Sequence, residues 1–434
     1  MEEAQHVMQQ RRPAERQLHD GRRIRVLAVC YGGGHVKALA PVVVELRRRG
    51  AEVVLFGLTL AGPSLHAQSI PHLGFRSLVG PDDEDALVFG RELAHDWHDN
   101  RGGLSREESV AYLGLSFADL AARVGEGEAR RRLALQGRQA FLPLGPMRRA
   151  FDLHRPDVVL ATNSPRAERA AMLVAAERHL PRVIINDLFG MRLAYPLEAE
   201  RICVLTEGVR DTLIEQGIDA STVTATGNPL CDAIVREVAN DPEVPVSLGH
   251  PRPVLLADQP AEWTDDGLHV FDDRESKEMI LRFREICRSA DALALVRRHP
   301  NRHRGWLAET EGVQWVDDLP LYPLLRACDL IVTRSSTVGL EAALLGRPVV
   351  TFHPHEGPSP LPLAEGGVAL GAQTLEELSA AVHSALHDAS LRAELGRTRA
   401  RRLLSDFGCD GHAAERVADL VEELVGSPRE SRPR

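Results

Sequence analysis

Aromatic residues make up only 4% of this chain of 434 residues, and long apolar runs are missing from it. A membrane-spanning helix needs roughly 20 consecutive apolar residues, and no stretch of the sequence approaches that length. Residues 1–23 are polar and have no apolar core of the kind found in signal peptides. We therefore expect a cytoplasmic protein without a transmembrane segment, and only peripheral membrane contact stays open. The low aromatic content also disfavours a long polysaccharide groove.

An excess of positive charge is absent as well, because the formal net charge is −10. This balance disfavours general binding of nucleic acids, which requires a basic surface. The six cysteines are scattered and form no CxxC pair. We expect them to be reduced, buried side chains rather than disulfides or metal ligands.

Several catalytic motifs are missing too. No Gly-Lys-Ser/Thr follows a glycine pair, which excludes a P-loop. There is no HExxH and no acidic pair with a complete ligand set, so the sequence predicts neither a metal ion nor a cofactor. Ser335 and Ser336 lie outside any GxSxG motif, and we interpret them as phosphate ligands rather than nucleophiles.

What is present is an alternation of buried strands and amphipathic helices. Residues 25–30 form a continuous apolar run, residues 36–49 have helical periodicity and end at Gly50, and residues 52–56 form a second apolar run. This opening is a βαβ unit, which predicts an α/β fold with parallel sheets covered by helices on both faces.

The length of the chain favours more than one domain. A stretch rich in proline and polar residues separates two such α/β halves. We predict a disordered N-terminal segment (1–23), a first Rossmann-like domain (24–240) with a helical insertion at about 81–150, a linker (241–252), a second Rossmann-like domain (253–411), and a return helix with the tail (412–434).

The most informative stretch of the second half is a hydroxyl-rich turn between a buried strand at 330–333 and a helix. Ser335, Ser336 and Thr337 lie where the helix begins, and the free N–H groups of a helix N-terminus bind anions. Glu341 lies one turn further on, where its carboxylate could accept both hydroxyls of a ribose. This pattern predicts a nucleotide site, although serine and threonine at a helix start can also be simple caps.

Two other loops follow strands of the same predicted sheet. Asp258 and Gln259 follow the strand at 253–257, and Arg297 and His299 follow the strand at 292–296. Because the carboxyl ends of parallel strands meet at one edge of the sheet, we expect these residues to lie beside the hydroxyl-rich turn. Guanidinium, imidazole and hydroxyl groups together suit a diphosphate, so we assign all of them to the nucleotide of a donor.

The first half has its own candidate site. Gly33 and Gly34 lie where the first strand passes into a helix, and glycines allow a ligand to approach the backbone closely. His35 would point into the crevice from the start of that helix, and Asp187 follows the strand at 182–186. We assign Gly33 and Gly34 to donor binding, and we assign His35 and Asp187 as candidate general bases, with the choice between the two left open.

These motifs resemble those of the GT-B superfamily, in which two Rossmann-like domains face each other across a cleft and the second binds the nucleotide. The segment from Gly32 to His35 resembles the glycine-rich first loop of MurG-like glycosyltransferases. Residues 205–207, 226–229 and 365–368 resemble segments of the non-hydrolysing UDP-N-acetylglucosamine 2-epimerases. Residues 297–300 together with Ser335 and Ser336 resemble the donor-binding motifs of bacterial sialyltransferases and CDP-glycerol transferases.

The chain departs from the epimerase pattern at the first-half loops. Where those enzymes have a Gly-Asp-Thr-Thr segment, this chain has Thr162-Asn163-Ser164-Pro165. Epimerisation at C2 requires placed acid and base groups, so the missing acid favours a different reaction.

We therefore predict an enzyme, namely a metal-independent, inverting glycosyltransferase that moves a sugar from a nucleotide-sugar donor to a hydroxyl acceptor. The alternatives are an enzyme similar to UDP-N-acetylglucosamine 2-epimerase and a GT-B-like protein that binds a nucleotide without catalysis. A homodimer also stays open, and the sequence determines neither the sugar, nor the base, nor the acceptor.

Overall fold

The computed structural model describes residues 22–98, 103–186, 197–240, 248, 252–264, 267–299, 312–355, 359 and 361–426. The predicted linker lies almost entirely outside these ranges, as do most of the predicted N-terminal segment and the end of the tail. None of the described helices is both long and apolar enough to cross a membrane.

Six parallel strands form the first sheet, in the order β2-β1-β3-β4-β5-β6. They are β1 (Arg25–Tyr31), β2 (Glu52–Leu58), β3 (Val158–Thr162), β4 (Arg182–Ile185), β5 (Arg201–Val204) and β6 (Val223–Ala225). Alternate residues of β1 face opposite sides because the side-chain period of a strand is two. Leu27 and Val29 therefore belong to one core, whereas Val26, Ala28 and Cys30 belong to the other.

Nine helices accompany this sheet in the described part of the chain. They are α1 (Gly33–Arg48), α2 (Ala61–Ala67), α3 (Glu84–Trp97), α4 (Arg106–Val124), α5 (Glu126–Gln136), α6 (Leu144–His154), α7 (Ala167–Glu177), α8 (Glu207–Glu215) and α9 (Pro229–Asn240). Short 3₁₀ turns occupy Phe75–Leu78 and Gly137–Ala140. Helices α3 to α6 fill the stretch in which the sequence predicts a helical insertion.

Six more parallel strands form the second sheet, in the order β11-β10-β7-β12-β13-β14. They are β7 (Pro253–Ala257), β10 (Leu293–Arg297), β11 (Gln314–Trp315), β12 (Leu330–Thr333), β13 (Val349–Phe352) and β14 (Leu370–Ala372). The strand order reverses between β7 and β12, and open α/β sheets bind ligands at such a reversal. The short antiparallel pair β8 (Ala261–Thr264) and β9 (Gly267–Val270) was not expected, because four-residue strands are too short to give a clear pattern.

The helices of the second half are α10 (Asp273–Ser289), α11 (Leu321–Ala327), α12 (Thr337–Leu344), α13 (Leu375–His387), α14 (Ala389–Ser405) and α15 (Ala413–Gly426). The last of these returns to the first sheet. Val417 and Val421 of α15 are buried in the same core as α1. Arg49 Nη1, just after α1, lies 2.6 Å from Asp419 and 3.2 Å from Glu422.

The prediction that all six cysteines are reduced is wrong for one pair. Cys231 in α9 and Cys409 before α15 form a disulfide with a Cα–Cα distance of 5.2 Å, while the other four cysteines are free and buried. The two partners are 178 residues apart in the sequence. Scattered spacing could not reveal this pair, because only the tertiary fold brings the two segments together.

Candidate functional site

The loops at the carboxyl ends of β7, β10 and β12 meet at the reversal of the second sheet. Gln259 Nε2 donates to Ser335 Oγ over 3.0 Å, which joins the first loop to the hydroxyl-rich turn. The backbone N–H of His299 donates to Asp258 Oδ2 over 3.4 Å, which joins the second loop to the first. The structure therefore brings these four predicted residues together.

The hydroxyl-rich turn opens α12. Ser336 is the N-cap, and its Oγ accepts from the N–H of Val338 over 3.3 Å. Ser335 and Ser336 are half-buried, while Thr337 is exposed. The capping role of Ser336 and a role in binding an anion are compatible, because a cap uses only some of the free N–H groups in the first turn.

Glu341, one turn into α12, is fully buried. Its Oε1 lies 2.6 Å from Lys37 Nζ and accepts from Thr337 Oγ1 over 3.4 Å. Its Oε2 is also buried and has no hydrogen-bond partner among the residues that the structure describes. A buried carboxylate oxygen without a partner is costly, so this oxygen is a strong candidate for a ligand contact.

Lys37 is the main residue of this site that the sequence reasoning missed. It lies in α1 of the first half and reaches across to Glu341 of the second half. The signal was available in the composition, because Lys37 and Lys277 are the only lysines among 52 basic residues. In a chain that uses arginine almost everywhere, this position carries a compact ammonium group instead of a planar guanidinium.

One nitrogen of the Arg297 guanidinium is engaged by the protein itself. Its Nη1 donates to the carbonyl oxygens of Leu319 over 2.6 Å and Val316 over 3.3 Å. Burial lowers the pKa of the Arg297 guanidinium. Nη1 therefore holds the loop after β11, and the prediction that Arg297 binds a donor phosphate concerns its other two nitrogens.

The next residue, Arg298, is held in a similar way. Its Nε donates to Asp317 Oδ2 over 2.6 Å, and its guanidinium lies 4.5 Å from the centre of the Trp315 ring. Arg334 is likewise packed over an aromatic ring, with 3.7 Å between its Cζ and the centre of Phe271. These three contacts hold Arg298 and Arg334 in the loops that follow β10 and β12.

The glycine-rich loop of the first half opens α1. Gly32 has a φ of +84°, a backbone conformation that glycine adopts without strain, and it is the N-cap of α1. No side chain in the described part of the chain caps this helix, so its first N–H groups, including those of Gly33 and Gly34, can bind other partners. His35 follows in the first turn, with its Nδ1 buried and the residue as a whole half-buried.

Polar atoms also collect at the carboxyl ends of β3 and β4. Asn163 Nδ2 donates to Asn186 Oδ1 over 3.4 Å. Thr162 Oγ1 and Asn186 Nδ2 are buried and have no partner in the described part of the chain. Asp187, the second candidate base, lies outside the described residues.

Glu168 is a second residue that the sequence reasoning missed. It lies in the first turn of α7, directly after the β3 loop, and is fully buried. Burial raises the pKa of its carboxyl group, and the nearby His35 counteracts that rise. No periodicity distinguishes it from the exposed glutamates that open other helices, so only the packing identifies it.

Two solved structures share this architecture. The S. aureus MnaA–UDP co-structure is 14% identical, with a TM-score of 0.62, and the match covers 94% of this chain and 99% of that one. The UDP-GlcNAc 2-epimerase from Methanocaldococcus jannaschii, in complex with UDP-GlcNAc and UDP, is 14% identical with a TM-score of 0.59, covering 92% and 100%. With the two parallel sheets, these matches confirm the predicted GT-B fold.

A curated relative matches a smaller part of the chain. The lipid-A-disaccharide synthase of Syntrophotalea carbinolica is 27% identical over 137 residues. The match covers 26% of this chain and only 34% of the synthase, which is about a third of that relative's length. It agrees with the predicted resemblance to MurG-like enzymes.

The family comparison overturns the predicted reaction. Residues 191–422, more than half of the chain, match the profile of the family described as UDP-N-acetylglucosamine 2-epimerase. The prediction of a glycosyltransferase is therefore wrong. The alternative that the sequence left open is the better one: the chain belongs to the UDP-N-acetylglucosamine 2-epimerase family.

Proposed function

We propose that this protein inverts C2 of a UDP-N-acetylhexosamine in the cleft between its two sheets, without a second substrate. The family assignment supports this reaction. The binding of UDP and UDP-GlcNAc in the two solved relatives supports the class of ligand.

The observation that supports a nucleotide site most directly is the state of Glu341. One of its oxygens is paired with Lys37, and the other is buried without a partner among the described residues. A ribose hydroxyl would supply the missing donor, and the free N–H groups at the start of α12 would meet the diphosphate. We assign the nucleotide to Asp258, Gln259, His299 and the turn from Ser335 to Thr337, with Glu341 on the ribose.

Inversion at C2 requires a place for the electron pair of the C2–H bond. C2 of the sugar ring has no adjacent carbonyl group, so the electron pair of the C2–H bond needs another acceptor. If UDP leaves C1 as the C2 proton is removed, that pair forms a C1–C2 double bond and the leaving diphosphate takes the C1–O pair. Return of UDP to C1 and of a proton to the opposite face of C2 completes the inversion, and no atom is gained or lost.

The groups near the cleft suit these steps. Lys37 and the free N–H groups of Gly33, Gly34 and the first turn of α12 would stabilise the negative charge of the leaving UDP. His35 is the described candidate for the acid–base group, since an imidazole exchanges protons near neutral pH. Asp187 stays a prediction for the group on the opposite face.

The direct test is incubation with UDP-GlcNAc alone in D₂O. The expected products are UDP-ManNAc, with UDP as the product of incomplete return, and deuterium at C2 of both sugars, read by ¹H NMR. The Glu341→Gln variant should lose UDP affinity by about tenfold or more, because a charged acceptor becomes a neutral amide.

A matched control is Glu278→Gln, which removes an exposed carboxylate of α10 and should not change either measurement. If UDP stabilises the protein but neither UDP-ManNAc, UDP nor deuterium incorporation appears, the reaction proposed here is wrong and the chain binds a nucleotide without catalysis. If Glu341→Gln binds UDP as tightly as the wild type, the assignment of the ribose site is wrong.

A further inference from the structure

Arg166 is a half-buried arginine whose guanidinium has no polar partner in the described part of the chain. No hydrogen bond or ion pair joins this guanidinium to another described residue, and its Nε is buried without an acceptor. The two terminal nitrogens are not among the buried atoms that lack a partner, so they are accessible to solvent. A partly desolvated cation without a counter-charge is a candidate for contact with an anionic ligand.

Other half-buried arginines of this chain donate to the protein itself. Arg182 donates from Nε and Nη2 to the two carboxylate oxygens of Glu200, over 3.1 Å and 3.0 Å. Arg47 donates from Nη2 to two backbone carbonyl oxygens, each over 2.9 Å. These side chains support the fold. Arg166 makes no contact of this kind, so a structural role in pairing charges does not explain it.

An aromatic ring fixes the position of the Arg166 guanidinium. Its Cζ lies 3.9 Å from the centre of the Tyr31 ring, which is a close cation–π contact. Tyr31 is buried and packs against Tyr112, with 5.6 Å between the two ring centres. A guanidinium that stacks on a ring keeps the N–H groups in its plane free to donate. The arginine is therefore oriented before a ligand arrives, which lowers the entropic cost of binding.

Arg166 lies at the carboxyl edge of the first sheet, in the loop between β3 and α7, and open α/β sheets bind ligands at this edge. Tyr31 belongs to the core on the α7 side of the sheet, whereas α1 packs on the opposite side. Lys37, Gly33 and Gly34, which we assign to the diphosphate, belong to α1. Arg166 therefore lies across the sheet edge from those groups. The sugar, which is attached beyond the diphosphate, is the part of the substrate that extends there.

The charge of this loop differs from the epimerase pattern. The Gly-Asp-Thr-Thr segment of those enzymes contains an acid, whereas Thr162-Asn163-Ser164-Pro165-Arg166 contains none and ends in a cation. The next acid along the chain, Glu168, is fully buried. Burial raises the pKa of Glu168 and the charge of Arg166 opposes that rise, but no ion pair joins the two described side chains. The accessible charge of this loop is therefore positive.

We propose that Arg166 binds a carboxylate on the sugar, so that the preferred substrate is a UDP-N-acetylhexosaminuronate, in which C6 is a carboxylate instead of a hydroxymethyl group. This inference rests on the proposed epimerisation. A planar guanidinium donates two parallel N–H groups to the two oxygens of a carboxylate, whereas the neutral C6 hydroxyl of UDP-GlcNAc offers it no charge. C6 takes no part in the bonds that form and break at C1 and C2. Arg166 is therefore a residue that determines specificity.

The test compares three ligands on the whole chain, namely UDP, UDP-GlcNAc and UDP-N-acetylglucosaminuronate. Calorimetric titration measures their binding, and deuterium incorporation at C2 in D₂O measures turnover of the two sugars. The variants are Arg166→Gln, which removes the charge, and Arg166→Lys, which keeps the charge without the planar fork. Arg274→Gln, which changes an exposed arginine of α10 in the second half, is the matched control.

We expect the wild type to bind the uronate about tenfold or more tighter than UDP-GlcNAc and to have the higher kcat/KM for it, with UDP-GlcNAc as a slower substrate. Arg166→Gln should remove this preference, Arg166→Lys should retain part of it, and the control should retain all of it. The loss of affinity should be larger for the uronate than for UDP-GlcNAc or UDP. That difference separates lost recognition from a folding defect, which weakens the binding of all three ligands.

A wild type that binds UDP-GlcNAc as tightly as the uronate would overturn the assignment of Arg166. An equal loss of affinity for UDP and for the uronate in Arg166→Gln would also overturn it, because Arg166 would then bind the diphosphate. If the wild type incorporates deuterium into neither sugar, the proposed epimerisation itself fails. The binding preference and its dependence on Arg166 are measured without turnover, so the two failures are distinguishable.

Discussion

Lys37 of the first half and Glu341 of the second half form an ion pair. The pair has 34% exposure at the lysine side chain and none at the glutamate. Removing one partner of a buried ion pair lowers the free energy of unfolding by more than the pair contributes to it. The reason is that the remaining charge stays buried without compensation. The partial exposure of Lys37 reduces this cost through solvent screening.

We predict that Lys37→Met lowers the free energy of unfolding by about 1–2 kcal/mol and weakens UDP binding by about tenfold or more. Urea unfolding and calorimetric titration with UDP measure these effects. Lys277→Met changes the only other lysine, which is exposed on α10, and should alter neither quantity. Equal UDP affinity in both variants would remove Lys37 from the site.

The two lysines also permit a chemical measurement. Reductive methylation followed by mass spectrometry should modify Lys277 rapidly and Lys37 slowly, because Lys37 is held by Glu341. Saturating UDP should protect Lys37 further and leave Lys277 unaffected. Protection of both lysines, or of neither, would contradict the proposed position of the diphosphate.

Glu168 makes the stability depend on pH in a defined direction. Its folded pKa lies above its ordinary value of 4.5, so the folded state binds this proton more tightly than the unfolded state. Its contribution to stability is therefore complete below pH 4.5 and is lost as the pH rises through the raised folded pKa. A glutamine at this position has no proton to lose and removes that dependence.

We predict that Glu168→Gln, compared with the wild type, becomes progressively more stable between pH 4.5 and neutral pH. Urea unfolding at several pH values measures the difference. Because Glu108 is retained in both proteins, the raised pKa of that half-buried helix residue cancels in the comparison. A constant difference across this range would mean that the Glu168 pKa is not raised.

At the scale of secondary structure, α12 packs closely against β12 and Leu363 at Gly339. A Cβ added at Gly339 would lie 2.9 Å from both Thr333 Cγ2 of β12 and Leu363 Cδ1. Both distances are shorter than real Cβ contacts allow. The absence of a side chain at Gly339 therefore allows α12, which carries Glu341, to pack closely against β12 and Leu363.

We predict that Gly339→Ala lowers the free energy of unfolding by about 1–3 kcal/mol and weakens UDP binding, because the overpacked helix must move. Thermal unfolding with and without UDP measures both effects. Gly127→Ala is the matched control, since an added Cβ there meets nothing within 4 Å and alanine favours the helix. If Gly339→Ala is as stable as this control, the close packing of α12 is not a constraint.

At the scale of the whole molecule, two segments that lie between the sheets, residues 228–232 and 408–414, are joined by several contacts. The N–H of Asn228 donates to the carbonyl oxygen of Gly408 over 2.9 Å. The Asp232 carboxylate accepts from the N–H groups of Ala413 over 3.2 Å and Ala414 over 2.7 Å, at the start of α15. The disulfide between Cys231 and Cys409 lies within this region and closes a loop of 178 residues.

We predict that a dithiol reductant lowers the free energy of unfolding by about 2–4 kcal/mol, because it releases this long loop in the unfolded chain. The other four cysteines are free, so reduction acts on this bond alone. Cys231→Ala/Cys409→Ala should be less stable than the wild type and insensitive to the reductant. Equal stability of the oxidised and reduced wild type would show that the bond does not constrain the chain.

The sequence by itself determined the main buried parallel strands and the edge of each sheet at which the polar residues lie. Continuous apolar runs place the buried parallel strands, because such strands have no exposed face, and strand-ending loops such as Asp258-Gln259 and Ser335-Ser336 then share an edge. The convergence of Gln259 and Ser335 followed from this rule and needed no tertiary information.

Only the tertiary structure decided which polar groups face one another across long separations. Lys37 and Glu341 are 304 residues apart, and nothing local links them. The same holds for the Cys231–Cys409 disulfide and for the buried Glu168, whose helix α7 packs against β3 and β1. Local periodicity indicates which face of each helix or strand is buried. Ion-pair partners and shifted pKa values arise from contacts between distant segments, which the chain makes only when it is folded.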